Sequence, residues 1–268
     1  MTVQAGVVGS PIAHSLSPLI HATWIAAAGL DARYVAHGPE TPEAFEALLD
    51  RGRRGALRGL NVTAPYKEQA YAAADQVSDA ARLSGSANLL VFEDGRIRAD
   101  STDGLGLMNA LGEQAPDLRV EGKPVVILGA GGAARAAAGA LALAGAQVRI
   151  LNRSRDRAER LAADLGPAVA VVEDASAFIG AALVVNALSV RPDLDVGRLN
   201  AGTVVMDMTY RPLETPLLAA ARARGLVGVD GLAMLIGQAA PLFEAAFGQA
   251  PPPLDLRMLL IRHLEAVA

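Results

Sequence analysis

Short aliphatic runs recur along the chain, separated by longer stretches in which apolar residues return every three or four positions. In the second half the runs fall at 125–128, 148–151, 169–172, 183–185, 204–206 and 227–229. Helical text lies between them at 133–144, 155–165 and 216–224. Short, almost wholly apolar strands alternating with amphipathic segments predict parallel strands with helices on both faces, a doubly wound sheet. The first hundred residues mix strands (4–8, 34–36, 60–62, 89–92, 97–99) and helices (19–28, 42–51) less evenly, with Glu93-Asp94-Gly95-Arg96 as a hairpin turn. Helical text after Asp103 leads into Gly122-Lys123-Pro124, which places a domain boundary near Asp103. A last helix is expected over 254–268, beyond Pro251-Pro252-Pro253.

Composition narrows the class. The 268 residues are 52% hydrophobic and carry a formal charge of −4, with no basic block. This argues against nucleic acid or an anionic membrane as a main partner. There is no cysteine, which removes thiolate metal sites, disulfides and a cysteine nucleophile, and fits a reducing cytoplasm. Residues 1–30 hold no Asp, Glu, Lys or Arg, but Gly9, Ser10, Pro11, Ser15, Ser17 and Pro18 interrupt them well short of the ~20 apolar residues of a membrane span. The positive start of a signal peptide is also missing.

The sharpest chemical signal is Gly129-Ala130-Gly131-Gly132-Ala133-Ala134. It follows a predicted strand and opens a predicted helix, the setting in which such glycines let backbone amides approach a pyrophosphate at a helix N-terminus. Read alone, the same text also suits a glycine-rich turn that holds nothing. The next strand ends at Asn152-Arg153-Ser154, followed by Arg155 and Arg157, with no acid before Asp156. Guanidinium forks suit the 2′-phosphate of NADP better than the bare ribose of NAD, although a solvated basic helix start has the same spelling.

A second cluster is Asn61-Val62-Thr63-Ala64-Pro65-Tyr66-Lys67. Pro65 suits a first helical turn capped by Thr63 or Ala64, with Lys67 in that turn, where the positive helix end favours a neutral amine. Of the 24 basic residues, 22 are Arg, and Lys occurs only at positions 67 and 123. A chain that prefers Arg so heavily keeps, at position 67, a group able to lose a proton. A surface lysine beside Glu68 is the plainer alternative. Asp103 also reads as a helix cap, Ser15 and Ser17 as turn residues, and His14 and His21 as structural, with no metal-like spacing.

Taken together, Gly9 to Pro18, Asn61 to Glu68, Ala87-Asn88, Ser101 to Gly104, Gly129 to Ala134, Asn152 to Ser154, Tyr210 to Pro212 with Thr215-Pro216, and Asp230 to Gln238 resemble the shikimate dehydrogenase family, in order and over nearly the whole chain. The resemblance implies an α/β enzyme with a substrate domain (1–103 plus 240–268), a Rossmann-like NADP domain (104–239) and a C-terminal helix that returns to the first. It implies reversible NADPH-dependent reduction of 3-dehydroshikimate to shikimate, a step of aromatic amino-acid biosynthesis, without a metal. Lys67 and Asp103 would be the catalytic pair. Ser15 and Ser17, helped by Tyr210, would hold the substrate carboxylate, while Asn61, Thr63, Asn88 and Gln238 bind carboxylate or ring hydroxyls. Gly129 to Ala133, Asn152, Arg153, Ser154, Arg157, Gly231 and Met234 would face the cofactor. The family contains both monomers and homodimers.

Three positions depart from the family pattern: Leu89, the Leu188-Ser189-Val190 segment, and Ala233. They open an alternative, a quinate/shikimate paralogue using NAD or NADP. A binding module that senses dinucleotide without turnover is a third reading, from a different class.

Overall fold

A computed structural model describes residues 2–188, 190, 192 and 194–266. Ser189 of the departing segment therefore lies outside the described residues, as do Val267 and Ala268 of the expected last helix. The chain forms two compact units: residues up to Thr102 with those from Gln238 onward, and Asp103 to Gly237.

The first unit is built on a six-stranded sheet of β1 (Val3–Val8), β2 (Ala32–His37), β3 (Gly59–Val62), β4 (Gln76–Val77), β5 (Leu89–Glu93) and β6 (Arg96–Asp100), ordered β2-β1-β3-β5-β6-β4. β1 pairs in parallel with β2 and β3, whereas β5 runs antiparallel to both β3 and β6. The expected hairpin joins β5 to β6, with Asp94 and Gly95 both at positive φ. Alternation along β3 divides the faces. Leu60 and Val62 enter a core with Phe45, Leu48 and Leu49 of the helix Pro42–Arg53, and Gly59 and Asn61 take the other face. There Leu242 of the helix Ala240–Phe247 fills the space a Cβ on Gly59 would need. The chain that leaves the second unit thus returns to this sheet, and the helix Leu256–Ala266 follows against the helix Ser17–Ala27.

The second unit carries β7 (Pro124–Leu128), β8 (Gln147–Leu151), β9 (Val169–Val171), β10 (Leu183–Asn186), β11 (Val204–Asp207) and β12 (Gly228–Asp230), all parallel in the order β12-β11-β10-β7-β8-β9. This is the doubly wound dinucleotide order. The strands read as unbroken apolar runs because both faces are covered. Val125, Ile127, Leu183 and Val185 enter one core, and Val126, Leu128 and Val184 enter the other. Two expectations need adjustment. The helix after β3 spans Lys67–Ala72 and starts from Tyr66, not from Thr63 or Ala64, and Pro65 precedes that start through a cis Ala64–Pro65 bond. No helix among the described residues is long and apolar enough to cross a membrane.

His21 is packed in the core, as a structural histidine should be, but it is not the satisfied histidine that its sequence setting suggests. It is wholly buried, stacks flat on Tyr34 (centroids 3.9 Å, 4°) and meets Trp24 edge-on. Neither ring nitrogen has a hydrogen-bond partner. Burial pushes its pKa down to about 3, which the adjacent Asn61 side chain opposes only in part. The unfolded chain binds a proton near pH 6.5 that the fold refuses, so stability is full above that pH and falls as the pH drops towards 3. Between pH 6.5 and 5 the wild type should lose about 2 kcal/mol that a His21→Phe variant keeps. Urea unfolding of both proteins across that range checks it; parallel curves would show that the ring titrates normally in the fold.

Candidate active site

In the first unit, topology gathers the polar candidates at one edge of the sheet. β1 and β3 end there, antiparallel β5 begins there, and β6 ends there. The segments carrying Ser15 and Ser17, Asn61 to Lys67, Asn88 and Thr102 therefore meet, although up to about ninety residues separate them in sequence. The loops after β1 and β3 touch so closely that a Cβ on Gly9 would fall 2.3 Å from Thr63 Cγ2. Ser15 Oγ accepts from the Ser17 amide (3.3 Å) at the start of its helix.

Several side chains here form one hydrogen-bonded chain. The Tyr34 hydroxyl donates to Asn61 Oδ1 (2.7 Å), and Asn61 Nδ2 donates to the Asn88 carbonyl (3.4 Å), which also takes the Val62 amide (2.8 Å). Asn88 Oδ1 accepts from the Thr102 amide (2.7 Å) and hydroxyl (3.2 Å), while its Nδ2 donates to Gln238 Oε1 (3.0 Å). Thr102 Oγ1 reaches the Gln238 carbonyl as well (3.2 Å). Asn88 and Thr102 are buried, where unmade hydrogen bonds cost most. Leu89, the first departure, is likewise buried, at the start of β5.

Lys67 is the first residue of its helix and is half-buried. Its backbone is pinned from both sides: the preceding Tyr66 stacks on Phe45 (4.7 Å) and donates to the Pro39 carbonyl (2.7 Å), and the Lys67 carbonyl accepts from the Ala87 amide (2.9 Å).

The second unit holds the remaining candidates. Asp103 is buried and opens the helix Asp103–Gln114. The glycine loop follows β7, and the helix Gly132–Leu143 begins from Gly131 with no side-chain cap. Gly129 has φ +117°, and a Cβ there would meet Leu188 at 3.2 Å and the Ala187 carbonyl at 3.4 Å. At Gly131 a Cβ would meet no atom of the described residues within 4 Å, chain neighbours aside. The first glycine thus serves the fold, and the second keeps open the space where an anion can approach the helix end. This loop and Ala187-Leu188, which follows β10, flank the point where strand order reverses, the usual ligand crevice of such sheets.

Leu188, the second departure, packs over the loop, and its amide donates to Asn186 Oδ1 (3.2 Å). The segment is anchored by a network that the sequence did not announce. Buried Asp207 accepts from Asn186 Nδ2 (3.0 Å), the Thr209 amide (3.1 Å) and the Thr215 hydroxyl (2.7 Å). Asn186 and Asp207 are register partners at the ends of adjacent strands, which only pairing reveals.

A cavity of about 700 Å³ beyond β8 is lined by Leu151, Asn152, Arg153, Arg155 and Glu173, among others. Arg157 does not line it, and Asn152 Nδ2 closes the turn onto the Ser154 carbonyl (2.8 Å). Glu173, which pairs with Arg155, was not foreseen. Its signal was available, because a doubly wound order puts the loop after β9 beside the one after β8. An open glycine cradle next to an asparagine- and arginine-lined cavity fits a phosphorylated dinucleotide. Tyr210 lies on the loop after β11; burial raises its pKa, which Arg211 partly opposes. Gly231 opens the helix Gly231–Gly237 against the Met208 backbone, whereas Met234 and Ala233, the third departure, are buried in the core. Among the described residues no group of three or more His, Asp and Glu side chains is placed to hold a metal ion.

Residues 7–90 match the family model described as the shikimate dehydrogenase substrate binding domain, and residues 111–189 match shikimate / quinate 5-dehydrogenase. The chain is 50% identical over 277 aligned residues to a shikimate dehydrogenase (NADP(+)) of Caulobacter vibrioides, covering 99% of this chain and 97% of the relative. It superposes on shikimate 5-dehydrogenase from Thermus thermophilus in complex with shikimate with a TM-score of 0.90 (36% identity, 98% and 100% of the chains). Quinate dehydrogenase from Corynebacterium glutamicum in complex with NAD gives 0.87 at 29% identity (100% and 99%).

The two glycines should separate cleanly in stability. Gly129→Ala, at positive φ and against Leu188, is expected to lower stability by about 1–3 kcal/mol, and Gly131→Ala to leave it within about 0.5 kcal/mol. Thermal unfolding of the ligand-free proteins decides; equal losses would mean that Gly131 is also a structural glycine.

Proposed function

The chain belongs to the shikimate dehydrogenase family, and from that premise we propose that it catalyses the reversible NADPH-dependent reduction of 3-dehydroshikimate to shikimate. The observation that carries this reading is the polar edge of the first sheet, where Ser15, Ser17, Asn61, Asn88 and Gln238 offer the donors and acceptors that a carboxylate and ring hydroxyls require. Its counterpart is the open cradle at Gly131 with Asn152 and Arg153 beyond it. In this proposal the first unit holds substrate and the second holds NADP. The likeness to a quinate enzyme is one of fold at 29% identity, whereas the 50% relative carries shikimate and NADP in its name. We therefore favour shikimate over quinate and place the enzyme in the cytoplasm, acting on small molecules.

NADPH, when bound, supplies the hydride. Reduction of the ketone develops negative charge on oxygen, and Lys67 would meet that charge as cation and hydrogen-bond donor. Asp103 would orient the lysine and the reacting hydroxyl, taking up the hydroxyl proton in the oxidation direction and returning it to the alkoxide oxygen in the reduction. Ser15 and Ser17 would anchor the carboxylate, with Thr63 and Tyr210 completing the set. Each anchor restricts the ring to the pose in which carbon and hydride meet. The backbone amides at Gly131 to Ala133 would hold the pyrophosphate, and Arg153 the 2′-phosphate, with Gly231 beside the cofactor.

With shikimate and NADP, Lys67→Ala and Asp103→Asn should each lower kcat by at least ~10²-fold, the scale of a general acid–base group. Steady-state rates beside wild type check this, and full activity in either variant removes that residue from the chemistry. Arg153→Ala should weaken NADP by about 10–100-fold and NAD little, as expected for loss of a charge-assisted bond to phosphate. Titration with both nucleotides measures it, and equal losses would place the 2′-phosphate elsewhere.

A further inference from the structure

Tyr34 is the one buried residue on the edge strand β2 and belongs to no candidate set above. Its register partner on β1 is Ala5, whose small side chain leaves the phenol room to cross β1 and reach Asn61 on β3. The direction of that bond is fixed by chemistry. The Asn88 backbone carbonyl can only accept, so Asn61 faces it with Nδ2 and turns Oδ1 towards Tyr34. Tyr34 must then donate, and its single proton is committed to Asn61. Ser17 lies beside the same hydroxyl, which, with its proton committed, can meet Ser17 only as an acceptor. Burial raises the phenol well above its ordinary range, Ser17 opposing this only in part, so it stays a neutral donor at any working pH. His21, stacked at 3.9 Å with Trp24 and Phe243 around it, leaves the ring one orientation.

We propose that Tyr34, held flat by His21, is a positioning residue for substrate: its hydroxyl sets the polarity of the Asn61 amide and joins Asn61 to Ser17. The inference rests on the reading of Ser17 and Asn61 as substrate ligands. The phenol acts through them and touches no reacting atom. Removing the hydroxyl frees the Asn61 amide to rotate, which weakens ground state and transition state alike.

Tyr34→Phe keeps the stack and deletes one oxygen. Its KM for shikimate should rise about tenfold, with kcat within about threefold and the KM for NADP unchanged. In an Asn61→Ala background the same change should add nothing. An unchanged shikimate KM, or penalties that multiply in the double variant, would overturn the proposal. A substrate-free readout accompanies the kinetics: NMR of the full chain should show the Asn61 side-chain amide protons exchanging slowly in wild type and much faster in Tyr34→Phe. Equal exchange would overturn the positioning role. If the wild type fails to oxidise shikimate, the functional reading falls, and the exchange data still decide whether Tyr34 orients Asn61.

Discussion

Asn88 is the crossing point of the hydrogen-bonded chain at the polar edge of the first sheet. Its backbone carbonyl receives β3, its side-chain oxygen receives Thr102, and its amide reaches Gln238 on the returning C-terminal segment. None of these partners is local in sequence. A buried amide is stable only when both ends are matched; here Asn61 is held by strand pairing, while Thr102 and Gln238 lie on short segments just after β6 and just before the helix Ala240–Phe247. The result is a set of donors and acceptors oriented before any ligand arrives, which is where the energetic advantage of a binding site resides.

The second unit solves a different problem with a simpler device. Its six parallel strands are buried on both faces, and the loops at one end of the sheet carry the polar work. Leu188 occupies the space beside Gly129, and Asp207 holds the loop that bears Leu188, so the glycine turn is supported from outside by a satisfied carboxylate. Leu188 and Ala233 find physical roles in this arrangement as packing groups.

Much of this was legible in the sequence, and the reasons are physical. The parallel strands announced themselves because two-sided burial leaves no polar alternation, and the helix at 155–165 was read with its observed bounds, Arg155–Leu165. Elements set by tertiary pairing were silent. The two-residue strand Gln76–Val77 exists only because β6 lies beside it, and the helices Asp79–Ser84 and Gly231–Gly237 are too short to show a period. The start at Tyr66 was hidden because a proline before a helix spells the same in either register. Asn61, Asn88 and Gln238 are legible singly, but neither their linkage nor the part Thr102 plays in it is, because they meet only through strand order and the returning C-terminal segment. Tyr34 is silent for the same reason: nothing in Ala-Arg-Tyr-Val-Ala-His marks a phenol that crosses a neighbouring strand.

On the proposed function, the preoriented polar edge takes shikimate and the arginine-lined cavity takes NADP. The most direct measurement is kcat/KM for shikimate and for quinate, each with NADP and with NAD, on the purified wild-type protein. Shikimate with NADP is expected to lead each single exchange by at least about tenfold, the worth of one well-placed polar contact. Faster turnover of quinate, a preference for NAD, or binding of shikimate and NADP with no hydride transfer would contradict it.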